Sequence, residues 1–113
     1  MMSNPYDKAR ELARAIAVHP VYRDYVAAKK ELDKNPELKD RILELRQKQL
    51  ELNQAYISGK KPSPEIGEIT LEFAKLSQKA EAKDFFDYEA RFIEMFNDIY
   101  KIIEDTLQLA MDD

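Results

Sequence analysis

The sequence predicts an all-α protein of four to five helices, with a long antiparallel helical hairpin and a long C-terminal helix, bundle- or coiled-coil-like and oligomeric. Three observations predict it. The 113-residue chain has two glycines and is rich in Ala, Glu, Lys, Leu and Arg, a composition that favours long helices. Most of its five prolines stand where a helix would begin, the position at which a fixed φ and a missing N–H cost nothing. Its apolar residues recur at three- and four-residue steps, which stacks them on one helical face.

The elements follow in order. Asn4 can cap and Pro5 can open a helix to about Val18, with Tyr6, Ala9, Leu12, Ala13, Ile16 and Ala17 on one face. His19-Pro20 breaks it, because a residue before proline avoids the α region. A second helix spans about 20–33, with Tyr22, Tyr25, Val26 and Leu32 apolar. Asn35-Pro36 repeats the capping pattern for a third helix over about 36–58, and Gly59 stops it. Here Leu38, Ile42, Leu45, Gln49, Leu52 and Tyr56 keep heptad spacing, and Leu43, Leu50 and Ile57 form a second row beside them. This helix is therefore expected to bury a broad face. The loop GKKPSPE leads to Ser63 as cap and Pro64 as first residue of a fourth helix, about 64–80, with Ile66, Ile69, Phe73, Leu76 and Ala80 in step. A short loop between two long helices makes an antiparallel hairpin. The apolar phase shifts near Ala80 to Lys83, where a bend is expected. The last helix then covers about 84–110. A single domain over 1–113 is expected.

The stretch FFDYEARFIEMFNDIY, residues 85–100, holds six of the eleven aromatic residues. On a helical wheel its apolar arc covers roughly 200°, against just over about 100° for an ordinary surface helix. This helix is thus expected to meet packing partners on two sides. The residues assigned to core or interface are Phe85, Phe86, Tyr88, Phe92, Phe96 and Tyr100, and aromatic residues are favoured at interface centres. Glu89 falls inside the same arc, and a carboxylate there needs a partner. Arg46, on an apolar face of the third helix, is the expected partner, with Gln49 and Asn53 nearby. The alternative is that Glu89 reaches solvent at a helix end near the bend.

Other chemistry is missing from the sequence. His19 is the single histidine and there is no cysteine, which leaves no material for zinc or thiolate sites. Its place at a helix junction suits a cap or a surface residue. Glu-x-x-His pairs, a Ser/His/Asp set and a phosphate-binding glycine loop are all lacking. No catalytic, cofactor-binding or metal-binding residue is assigned, and no enzyme is expected. The net charge is −4 with both signs interspersed, which disfavours direct binding of nucleic acid. Lys60 and Lys61 make one small basic tip. No apolar run approaches the roughly 18 residues of a membrane span, and the N-terminus lacks the apolar centre of a signal peptide. A soluble cytoplasmic protein is expected.

The order of features carries a resemblance. The segments HPVYRDYVAAKKEL, KNPELKDRILELRQKQLELNQAYISGK and SPEIGEITLEFAKLSQ precede FFDYEARFIEMFNDIYKIIEDTL. The Gly59-Lys60 hairpin, Tyr88-Glu89-Ala90 and the run IYKII from Ile99 to Ile103 are its most telling pieces. Over nearly the whole chain this resembles the YlbF/YmcA-like family of small bacterial helical regulators of competence. The resemblance implies long helices assembling into dimers or larger oligomers, and regulation rather than catalysis. It implies protein complexes, with related family members among the partners, that influence competence, sporulation and biofilm formation, in some cases through a membrane-linked ribonuclease that matures messenger RNA. Some members ligate iron–sulfur clusters through cysteines. This chain has none, so that cofactor is not carried over. The expected function is a non-enzymatic adaptor, a dimer or tetramer of its own chain. A helical scaffold or chaperone without a specific partner, and an RNA-associated protein, are the alternatives.

Overall fold

The computed structural model describes residues 4–59, 61 and 64–112, and it is all-α. The helices are α1 (Pro5–Ala17), α2 (Pro20–Asp33), α3 (Pro36–Ile57), α4 (Glu65–Leu76) and α5 (Ala80–Asp112). Lys60 and Ser63, given above to a basic tip and a helix cap, lie outside the described residues.

The junctions follow the local chemistry. The Tyr6 amide donates to Asn4 Oδ1 at 2.8 Å, so Asn4 caps α1. At the next break His19 Nδ1 accepts from the Val21 amide at 3.1 Å, giving the histidine the capping role. The Leu38 amide donates to Asn35 Oδ1 at 3.2 Å at the start of α3. At its end Gly59 takes φ +93°, the left-handed conformation that a residue with Cβ resists. Its amide donates to the Tyr56 carbonyl at 3.0 Å.

Three boundaries around α4 depart from expectation. Helix α4 ends at Leu76, short of Ala80, and α5 begins at Ala80 rather than at 84. The break lies at Ser77–Lys79. There the Ser77 hydroxyl and amide both donate to the Phe73 carbonyl at 2.9 Å, and the Gln78 and Lys79 amides turn back to Lys75 and Leu76. Two hydrogen bonds to one carbonyl tighten the last turn and end the helix. Pro64 takes the N-cap place, one residue ahead of the helix it was expected to open.

Contacts group the chain into two compact units, Met1–Ala27 with Asp87–Asp113, and Ala28–Phe86. Helices α2 and α5 contribute to both. The second unit holds every fully buried apolar residue among those described: Ala28, Leu32, Leu38, Ile42, Leu45, Ile69, Ala82 and Phe85. Ile42 is only 2% exposed. Burying such a side chain stabilises by roughly 1.5–3 kcal/mol. In this unit α3 and α4 form the antiparallel hairpin. Arg41 meets Glu72 at 3.5 Å and Lys48 meets Glu65 at 3.2 Å. The two partners on each helix are seven residues apart and run in opposite directions, as antiparallel register requires. These pairs are solvent-exposed, so each contributes under about 1 kcal/mol. They mark the register that the apolar seam sets.

Asn35 does more than cap. Its Nδ2 donates to Glu81 Oε2 at 3.2 Å, which ties the start of α3 to the first turn of α5. Glu81 also lies where the helix dipole favours an anion. Beside it Ala82 is wholly buried, and its small side chain permits close helix approach.

The first unit is built differently. Its packing is aromatic: Phe92 of α5 stacks on Tyr25 with centroids 5.3 Å apart and planes 2° apart. Tyr22 meets the same ring at 5.3 Å, tilted by 54°. Such pairs contribute about 0.5–1.5 kcal/mol each beyond area burial. Yet none of its described residues is fully buried.

Candidate interaction site

The aromatic run divides into three parts along α5. Phe85 is buried, and Phe86 is half-buried in a T-shaped contact with Phe73 at 5.9 Å. The Arg46 guanidinium lies 5.4 Å from the Phe85 ring centre and 5.6 Å from that of Phe86. A cation over a ring face is attracted by its quadrupole. These two phenylalanines therefore belong to the core of the second unit. Tyr88 is half-buried with Arg91 5.3 Å over its ring, and Phe92 is held by the tyrosines of α2. Phe96 and Tyr100 stand open, at 54% and 59% exposure.

Those two residues are the centre of a longer row. Ile93, Phe96, Tyr100, Ile103, Leu107 and Met111 are all exposed. Their steps are three, four, three, four and four residues, so they stay within about 80° of arc on the helix. Asp98, Asp105 and Asp112 recur every seven residues on the opposite side. The row is thus a heptad seam with its charged face turned away. Periodicity puts these residues on one face, but does not tell that the face stays open.

Arg46 and Glu89 are both half-buried. Arg46 belongs to the second unit and Glu89 to the first. The second apolar row of α3 corrects an expectation. Leu43, Leu50 and Ile57 are exposed rather than buried, because the register with α4 turns the Leu38–Ile42–Leu45 face inward instead.

Two lysines have perturbed protonation. A hydrogen bond from Lys39 to Asp33, and then the Asp33 charge, hold the Lys39 ammonium above its ordinary pKa. Glu31 does the same for Lys34. Both belong to exposed ion pairs that tie down helix ends. Among the described residues no group of His, Cys, Asp or Glu is placed to hold a metal ion. No helix among them is long and apolar enough to cross a membrane.

Relatives of the chain occur in several bacteria. A UPF0342 protein of Streptococcus mutans serotype c is 32% identical over 112 residues, covering 96% of each chain. A UPF0342 protein of Caldicellulosiruptor saccharolyticus is 28% identical over 109 residues, covering 96% of this chain and 91% of its own. The Symbiobacterium thermophilum member is 28% identical over 107 residues, covering 94% and 96%. No solved structure matches the chain. Residues 6–108 match the family described as control of competence regulator ComK, YlbF/YmcA. A match over nearly the whole length, onto a regulatory rather than an enzymatic family, places this chain in the YlbF/YmcA family.

Proposed function

We infer that this protein is a cytoplasmic, non-enzymatic adaptor that works by self-association and by complexes with other regulatory proteins, related family members included. The processes it would serve are those tied to its family: competence, sporulation, biofilm formation and ribonuclease-dependent messenger RNA maturation. It would do so without a cofactor and without binding nucleic acid directly. As a regulator, it would act as one domain over 1–113.

The observation that carries this reading is the open seam on α5. Six large apolar residues, each about half exposed or more, leave roughly 100 Å² apiece. That is about 600 Å² per protomer and about 1,200 Å² for two copies, which reaches the lower range of specific interfaces. A seam at heptad spacing meets its own copy across a two-fold axis. Its aspartates point away, and Glu104 at one edge of the seam is the acidic group next to it. Arg46 and Glu89 are proposed to fix the register of the long helices, a role attested for polar groups among apolar ones.

Light scattering over a range of concentrations tests the reading. The protein is expected at the mass of a dimer or tetramer, and Phe96→Glu is expected to shift it to monomer. A monomeric wild type at all concentrations would remove the self-association part. Recovery of one stoichiometric regulatory partner, against indiscriminate protection of unfolded clients, separates an adaptor from a scaffold.

A further inference from the structure

We propose that the outer row of α3 is a second docking surface, and that it takes an amphipathic helix with a basic edge from a different protein. This deepens the adaptor reading and rests on it. Leu43 and Leu50 are 53% and 52% exposed, and Ile57 continues the row. They recur every seven residues and form one line along α3. From Leu43 to Ile57 the line is about 21 Å long, enough for roughly four turns of a partner helix. A shallow, open strip beside its first half is formed by Asp40, Leu43, Glu44, Gln47, Lys48 and Glu51.

The charges choose the partner. Asp40, Glu44 and Glu51 all lie on one side of the row, within about 100° of arc. The cations near it are engaged elsewhere. Lys48 binds Glu65 at 3.2 Å and Lys39 binds Asp33 at 2.8 Å, while Arg46 lies over the Phe85 and Phe86 rings. Arg41 answers Glu44 at 3.1 Å, which leaves Asp40 and Glu51 to define the acidic edge. A second copy laid antiparallel does not suit this row. Antiparallel pairing of row on row sets the same edge against itself, acid against acid, and like charges across an interface are repelled. A helix with apolar residues at heptad spacing and Lys or Arg along one edge satisfies both the row and its edge.

The test uses the full-length protein and two labelled synthetic helices with identical leucine positions. One carries lysines along the edge and the other glutamates. Fluorescence anisotropy is expected to show the lysine helix binding at least about tenfold tighter, with affinity falling as salt is raised. The double substitution Asp40→Lys with Glu51→Lys is expected to reverse that preference, and Leu50→Ser to weaken both helices while circular dichroism shows the fold intact. Equal binding of the two helices, or binding of neither, overturns the proposal. So does a drop in solution mass on the double substitution, which would assign the row to a second copy. Mass dependent on α5 is read on the same samples, so loss of this surface and loss of self-association are told apart.

Discussion

Phe85 and Phe96 are residues of one type on one helix, and their truncations are expected to fail in different assays. Phe85 is 6% exposed. Its loss leaves a cavity under Arg46 and beside Phe86, and a Phe→Ala change of this kind costs about 3–5 kcal/mol. With a urea slope of about 1–3 kcal/mol/M, the unfolding midpoint is expected to fall by at least about 1 M. Phe96 is 54% exposed, so half of its ring contributes to the protomer and Phe96→Ala costs roughly 1 kcal/mol there. The exposed half, about 110 Å² in each of two copies, corresponds to an upper bound near 5 kcal/mol across an interface at about 25 cal/mol/Å². The remaining Cβ and local repacking reduce this to roughly 2–3 kcal/mol, a dissociation constant raised roughly fiftyfold. Urea unfolding followed by circular dichroism reads the first effect, and light scattering against dilution reads the second. Unchanged dissociation of Phe96→Ala would refute the assignment of the α5 seam to an interface. An unmoved urea midpoint for Phe85→Ala would refute its place in the core.

Three further outcomes are expected. Asn35→Ala removes both the cap on Leu38 and the bond to Glu81, so stability is expected to fall by about 1–2 kcal/mol, whereas Asn35→Asp keeps the cap and sets a second carboxylate against Glu81, giving an intermediate loss in urea titration. The Lys39 ammonium is favoured in the fold above its ordinary value of 10.5; its contribution is complete below the unfolded pKa and is lost as pH rises through the higher folded one, so Lys39→Gln is expected to flatten the alkaline decline of unfolding midpoints above about pH 10. A double-mutant cycle of Arg46→Met and Glu89→Gln is expected to show a coupling of at least about 0.5 kcal/mol, and additive effects would remove the proposed pairing.

The sequence alone determined the helices and most of their breaks. Caps, prolines and Gly59 act within a few residues of themselves, so Asn4-Pro5, His19-Pro20 and Asn35-Pro36 mark their junctions without help from the rest of the chain. Heptad spacing likewise drew the apolar rows of α3 and α5. What spacing does not carry is which of two neighbouring rows turns inward. Leu38–Ile42–Leu45 and Leu43–Leu50–Ile57 are equally apolar, and only the antiparallel register of α3 with α4 makes the first row core and leaves the second open. The start of α5 is likewise set by tertiary contacts. Its first turn is held by a bond from Asn35, 46 positions away in the chain, and by the close packing of Ala82, a residue too small to leave a periodic signal. Phe85, Phe92 and Phe96 read alike on a helical wheel. The tertiary structure separates them because Arg46 with the second-unit core, and the tyrosines of α2, cover the first two, while the third, with the Phe92 ring 6.2 Å away, keeps 54% of its surface exposed.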